Sequence, residues 1–255
     1  MNTNESTTMI SDLLQLSHDI GSPEYDYVIQ AEGNTSARID DQSFWIKASG
    51  FSLRNSTAGS FVAMRFEPLL QLLDGPALDE TQLKAAFNVA RVDPSSTLRP
   101  SVEVVLHALA LTLGGAKYVA HSHPMPWNAI LCSANAEQAV SGRLFPDHVV
   151  LCGPAPIYVR YTDPGVPLAQ EVQRQLKRYL DQYGESPKEI LMQNHGLIAL
   201  GGSVAEVENI TAMSVKAART LLGTYSAGGP NFLSQEDVFH LWRRPDEILR
   251  RAKLS

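Results

Sequence analysis

A chain of 255 residues with 44% hydrophobic content can bury a full core without disulfides, and its two cysteines, Cys132 and Cys152, are too few to form a cross-linked framework. A net charge of −6 with no Lys/Arg cluster excludes a nucleic-acid surface, because nothing is available to neutralise a run of phosphates. No apolar run approaches the ~20 residues of a membrane span, and the polar start Met1–Thr8 has no apolar signal region, so the expected compartment is the cytoplasm.

Met9, Ile10, Leu13, Leu14 and Leu16 have helical spacing within a helix over 9–20, which Gly21-Ser22-Pro23 ends. Strands are expected at 27–30, 35–39, 43–48 and 61–66, with the turn Asp40-Asp41-Gln42 joining the second and third as a hairpin. Adjacent strand runs of this kind imply an antiparallel component in the sheet. Short helices follow at 67–73 and 81–92, then a Ser/Pro loop to Pro100 and a buried helix over 101–113 ended by Gly114-Gly115. Tyr118-Val119-Ala120 reads as a strand, 126–132 and 134–144 as helices, and Val149–Cys152 and Pro156–Val159 as short strands. A long helix over 166–183 precedes a buried strand at 189–193, which continues past Asn194-His195-Gly196 through Leu197–Leu200. The longest helix covers 204–222, and the tail reads as short helices. The chain is expected to be one α/β domain over 1–255, with 1–8 and 243–255 flexible or peripheral.

Within this frame, Tyr118–Pro124 stands out. Period-2 alternation sends His121 and His123 to one face, where two nitrogens can share a metal, and Pro124 stops the ladder. An H-x-H pair by itself reads more readily as hydrogen-bonded core or surface polarity than as a metal site. Glu103 upstream and His195 downstream complete a set of three histidines and a carboxylate, a zinc-type set with room for one exchangeable position. His107 shares a helical face with Glu103, but its neighbours Val104 and Leu111 make it a hydrogen-bonded core histidine rather than a fourth ligand. His18, His148 and His240 read as surface or structural residues, and the pairs Arg243-Arg244 and Arg250-Arg251 as a solvated helix face. Gly33-Asn34-Thr35-Ser36, paired with Ser49-Gly50 across the hairpin, reads as an anion cradle of backbone N–H groups and hydroxyls, against the plainer alternative of a turn.

Gly33-Asn34-Thr35-Ser36, Lys47-Ala48-Ser49-Gly50, Arg99-Pro100-Ser101-Val102-Glu103, His121-Ser122-His123 and Asn194-His195-Gly196 together resemble, in order and approximate spacing, the class II aldolase and adducin family. Their wording is most similar to the aldolase portion of rhamnulose-phosphate aldolase and alcohol dehydrogenase fusions. The resemblance implies a class II aldolase-like α/β fold, with a central, mainly antiparallel sheet flanked by helices on both faces, and a homotetramer with sites between subunits. It also implies that His121, His123 and His195 hold Zn²⁺ or another divalent transition metal, and that Glu103 is the acid/base carboxylate beside it. Asn34, Ser49, Gly50 and Ser101 fall where fuculose-phosphate aldolases hold the substrate phosphate. Val102 replaces a second serine of that pattern, and no tyrosine lies between Tyr118 and Tyr158 to fill the family's tyrosine role.

The expected activity is cleavage of a ketose 1-phosphate or related hydroxy-ketone. Neutral imidazoles leave a cation its full charge to stabilise the enediolate, and a carboxylate beside it moves the proton. Ionisation of Glu103 near a helix start would be favoured by the dipole and opposed by burial, and the alternative is a plain charge complement of the first turn. A decarboxylase, dehydratase or epimerase of the same family on a sugar acid or sugar phosphate is the second reading, and a non-catalytic adducin-like module the third.

Overall fold

The structure is a computed structural model and describes residues 3–76 and 78–254. The expectation for the two termini, 1–8 and 243–255, falls partly outside these residues, at Met1, Asn2 and Ser255.

Helix α1 (Thr3–Ile20) ends at Gly21 and leads through turns into β1 (Asn34–Arg38) and β2 (Ser43–Lys47). The hairpin between these strands closes on Asp40, whose carboxylate accepts hydrogen bonds from Gln42 N, Ser43 N and Ser43 Oγ at 2.8–2.9 Å, a side-chain turn that fixes the register. A short 3-10 turn precedes β3 (Phe61–Arg65), and the chain then forms α2 (Phe66–Leu70), α3 (Glu80–Ala90), α4 (Val104–Leu111), β4 (Tyr118–Ser122), α5 (Met125–Leu131) and α6 (Ala136–Ala139). After these come α7 (Pro146–Cys152), β5 (Ile157–Val159), α8 (Val166–Tyr183), β6 (Glu189–Met192), β7 (Gly196–Gly201), α9 (Val204–Tyr225), α10 (Gln235–Arg243) and α11 (Pro245–Leu254).

The strands form one seven-stranded sheet in the order β3-β2-β1-β4-β7-β6-β5, antiparallel throughout except for the β5–β6 pair. Alternation along each strand divides the core in two. Phe44, Ile46, Val119, Ile190 and Ile198 face one layer of helices with α4 and α8 residues such as Val105, Leu109, Val172 and Leu176. Ala37, Ala120, Leu191 and Leu197 face the other layer, with Leu13 and Leu16 of α1 and Val207 and Ile210 of α9. Among the described residues no helix is long and apolar enough to cross a membrane.

Four expectations differ from the structure. Residues 27–30 are irregular chain and turn rather than a strand, and the neighbouring β1 already has β2 and β4 on its two edges; Gln30 stands at φ 54°, in the left-handed region. Val149–Cys152 belongs to α7, started by Pro146 in its first turn and ended by Gly153 at φ 79°. Val149, Val150 and Cys152 are all buried, so their apolar run carries no period to tell helix from strand. The stretch 134–144 holds only the four-residue α6. Finally, 189–200 is not one continuous strand but the hairpin β6–β7, pairing Met192 with Gly196 and turning at Asn194, whose φ is 55°. His195 therefore sits on a tight turn, not within a strand.

Candidate metal centre

Because β2, β1, β4 and β7 alternate in direction, one end of the sheet collects the start of β1, the end of β2, the end of β4 and the start of β7. Asn34, Ser49-Gly50, His121 and His123, and His195-Gly196 arrive there together. A cleft of about 260 Å³ at this end is lined by all eight residues singled out in the sequence, Asn34, Ser49, Gly50, Ser101, Glu103, His121, His123 and His195.

Local chemistry explains how each arrives. Asn34 pairs with His121 across the β1–β4 ladder. Alternation also places Ser36 toward α4, where its hydroxyl meets His107 Nδ1 at 2.6 Å; His107 is fully buried and hydrogen-bonded in the core, as its neighbours implied. An isolated bridge between Ala48 and Pro100, with Ser49 N donating to Arg99 O at 2.8 Å, brings the end of β2 against the loop that starts α4. Glu103 is the N-cap of α4 rather than a residue within it. Two glycines permit close approach. A Cβ on Gly33, at φ 69°, would lie 2.6 Å from His121 O, and one on Gly196 would lie 2.7 Å from the His123 ring.

The three imidazoles converge, with one ligand atom from each within 4.8 Å of the others. His121 Nδ1 lies 3.0 Å from Leu197 O, which holds the N–H there and leaves Nε2 with its lone pair facing inward. His123 Nε2 is 2.9 Å from that nitrogen. Glu103 spans the group, Oε2 lying 3.3 Å from His121 Nε2 and Oε1 3.0 Å from His195 Nε2. Burial opposes ionisation of Glu103, but His121, His195 and the Asn34 amide outweigh it and hold the carboxyl well below its usual range. Burial lowers His121 to about 3 against the pull of Glu103, and lowers His123 as well. Neutral imidazoles beside an ionised carboxylate are the donor set that a divalent transition metal takes. The residues fit such an ion. Asn34 Oδ1, buried with no hydrogen-bond partner among the described residues, adds an acceptor at the cleft wall.

Two residues in the site carried no role in the sequence reading. Lys47 lines the cleft, donates from Nζ to Phe51 O, and is lowered to about 8 by burial, against the opposing effect of Glu103. Its signal was a lysine closing an otherwise apolar strand just before Ser49-Gly50. Glu32, the second, stands behind His123, with Oε1 3.7 Å from Nδ1. No local pattern marked it, because its position depends on the turns that replaced the expected strand.

A mixed α/β fold with three imidazoles and a carboxylate at one sheet end defines a protein able to hold a divalent metal ion. The chain belongs to the class II aldolase and adducin family: the family's description, Class II Aldolase and Adducin N-terminal domain, matches residues 11–222. Among solved structures, the N-terminal class II aldolase domain of a conserved Thermoplasma acidophilum protein is similar at 23% identity and TM-score 0.66, covering 84% of this chain and 93% of that one. YgbL of Klebsiella pneumoniae, whose activity is given as one of aldolase, epimerase or decarboxylase, matches at 19% identity and TM-score 0.69 over 92% and 98% of the two chains. An L-fuculose 1-phosphate aldolase matches at 16% identity and TM-score 0.69 over 93% and 96%. At these identities the likeness is one of fold. No curated protein matches the chain significantly in sequence.

Proposed function

We propose that this protein is a zinc-dependent aldolase that cleaves a ketose 1-phosphate or related hydroxy-ketone. The observation that carries the reading is the placing of Glu103 between His121 and His195 on the floor of a cleft whose wall offers Asn34, Lys47, Ser49, Gly50 and Ser101. His121, His123 and His195 would hold the ion, which when bound supplies positive charge to the oxygens of the hydroxy-ketone. Glu103, ionised, accepts the proton of the hydroxyl whose carbon becomes the aldehyde, and returns it to the carbon that leaves with the electron pair. Asn34 Nδ2 donates to Glu103 Oε2 and so orients the carboxylate for that transfer.

Ser49, Ser101 and the Gly50 turn supply neutral donors for a phosphate, and the Lys47 ammonium adds charge close by. Phe51, Val102 and Met125 leave apolar side chains exposed beside the cleft, which supports a homotetramer whose subunits cover these mouths. Cys132 and Cys152 are free thiols, in keeping with a cytoplasmic setting. The test is a panel of phosphorylated ketoses and sugar acids, read for aldehyde and carbon dioxide. Aldehyde from a ketose 1-phosphate supports the reading, and carbon dioxide alone transfers the site to decarboxylation. Ser49→Ala with Ser101→Ala should raise KM for the phosphorylated ketose far more than for its unphosphorylated analogue; equal changes would remove phosphate from the proposed substrate.

A further inference from the structure

The turns at 25–33 form a clamp on one of the three histidines. His123 N donates to Tyr27 O at 2.8 Å, which fixes the histidine backbone to this segment. Three positions further along, Gln30 takes the left-handed conformation, and Glu32 N donates to Ile29 O at 3.1 Å. The Glu32 side chain folds back over the same turn, its Oε2 accepting from Ile29 N at 2.9 Å. One carboxylate oxygen is thus pinned to the backbone while the other, Oε1, faces His123 Nδ1. A freely rotating surface glutamate would have neither restraint.

We infer that Glu32 is a positioning residue for the metal centre, holding His123 with its proton on Nδ1 and its Nε2 lone pair turned to the ion. The two histidines of β4 and its end are then oriented alike, by different acceptors. His121 donates its Nδ1–H to the Leu197 carbonyl at 3.0 Å, whereas His123 faces a carboxylate at 3.7 Å, beyond direct hydrogen-bond distance but close enough for electrostatic attraction. A carboxylate behind an imidazole fixes the tautomer and makes the metal-facing nitrogen more basic, and removing such a partner commonly lowers metal affinity ~10–100-fold. With its side chain 41% exposed, Glu32 belongs at the lower end of that range, because water screens its charge. The assignment rests on the metal-centre reading above and extends it to a residue outside the ligand set.

The test is zinc titration of the wild type, Glu32→Gln and Glu32→Ala in competition with a chromophoric chelator, together with the rate of zinc release. Thermal unfolding of each metal-free protein provides the fold control. The expected result is an increase of ~10-fold in Kd for Glu32→Ala, with faster release, and a smaller change for Glu32→Gln, whose one amide oxygen can face Nδ1 but then leaves Ile29 N without its acceptor. The metal-free Tm should be unchanged in Glu32→Gln, so that its loss of affinity is read without a loss of fold. Tight zinc binding by the wild type with equal Kd in both variants overturns the role of Glu32 and leaves the metal centre standing. Absence of zinc binding by the wild type overturns both readings.

Discussion

The Asn34 amide on β1 donates to Glu103 Oε2 at 2.9 Å and to Ser101 Oγ at 3.1 Å, joining residues 69 and 67 positions apart in the chain. With His121 and His195, which flank the carboxylate, the contact helps to hold it ionised against its burial, and it aims the group along the cleft floor. Glu103→Gln preserves shape and removes charge. Turnover on the substrate found by the panel should fall ~10²–10⁴-fold with metal content retained, as expected of a positioned base. Steady-state kinetics alongside elemental analysis checks both, and undiminished turnover rules out the assignment.

The purified protein should carry about one Zn²⁺ per chain, and His121→Ala, His123→Ala or His195→Ala should each abolish stoichiometric binding, because a site with three protein ligands cannot spare one. Elemental analysis after dialysis reads this directly. Zinc retained at full stoichiometry in any one variant removes that histidine from the ligand set.

A second group of charges lies far from the cleft and has a different use. Arg143 is 2% exposed and pairs with the fully buried Glu189, while its other nitrogens donate to Cys152 O and Gly153 O at 2.7 and 2.8 Å. Glu189 opens β6, and its second oxygen accepts from Ser214 on α9, whose hydroxyl in turn receives Trp127 Nε1 at 2.8 Å. Replacing Arg143 by Met leaves a buried carboxylate without its cation, and the expected loss is ~3–5 kcal/mol in denaturant unfolding. Adding Glu189→Gln to Arg143→Met should restore part of it. A single variant as stable as the wild type would show that the pair contributes nothing to the fold.

Acid should destabilise the protein before its carboxylates titrate. Burial lowers His107 to about 4 and His148 to about 4, the latter with help from the Arg143 cation. In the unfolded chain these imidazoles take up a proton at about 6.5. Between about pH 6.5 and 4 the unfolded state therefore holds more protons, and stability falls as the pH falls, by up to ~1.4 kcal/mol per unit for each group. Glu189, lowered to about 2 by Arg143 and its hydrogen bonds in spite of burial, extends the loss below the usual carboxylate range. Denaturant midpoints at pH 7.5, 5.5 and 4.5 measure the slope. His107→Gln should reduce it, and an unchanged slope would show that His107 does not contribute.

Local spacing made much of the site legible. Alternation along Tyr118–His123 put His121 and His123 on one face, the Asp40 turn announced the β1–β2 hairpin, and the Ser/Pro loop to Pro100 announced a buried helix, which starts three residues later than expected, at Val104. Those patterns lie within a few residues, where strand period and turn chemistry act directly. Mutual placement was decided by the folded chain, because it depends on which edges of the sheet are free. With both edges of β1 occupied, Tyr27–Gln30 has no place beside the strand it precedes, and the segment it belongs to sets Glu32 behind His123. With β6 and β7 folded back on one another, His195 came to the turn, within 3.0 Å of Glu103. Lys47 beside Glu103, and Arg143 against Glu189 across 46 positions, likewise meet only in the folded chain. An ionic contact of that kind is stable in a dry interior, and the interior forms only when the two helical layers close over the sheet.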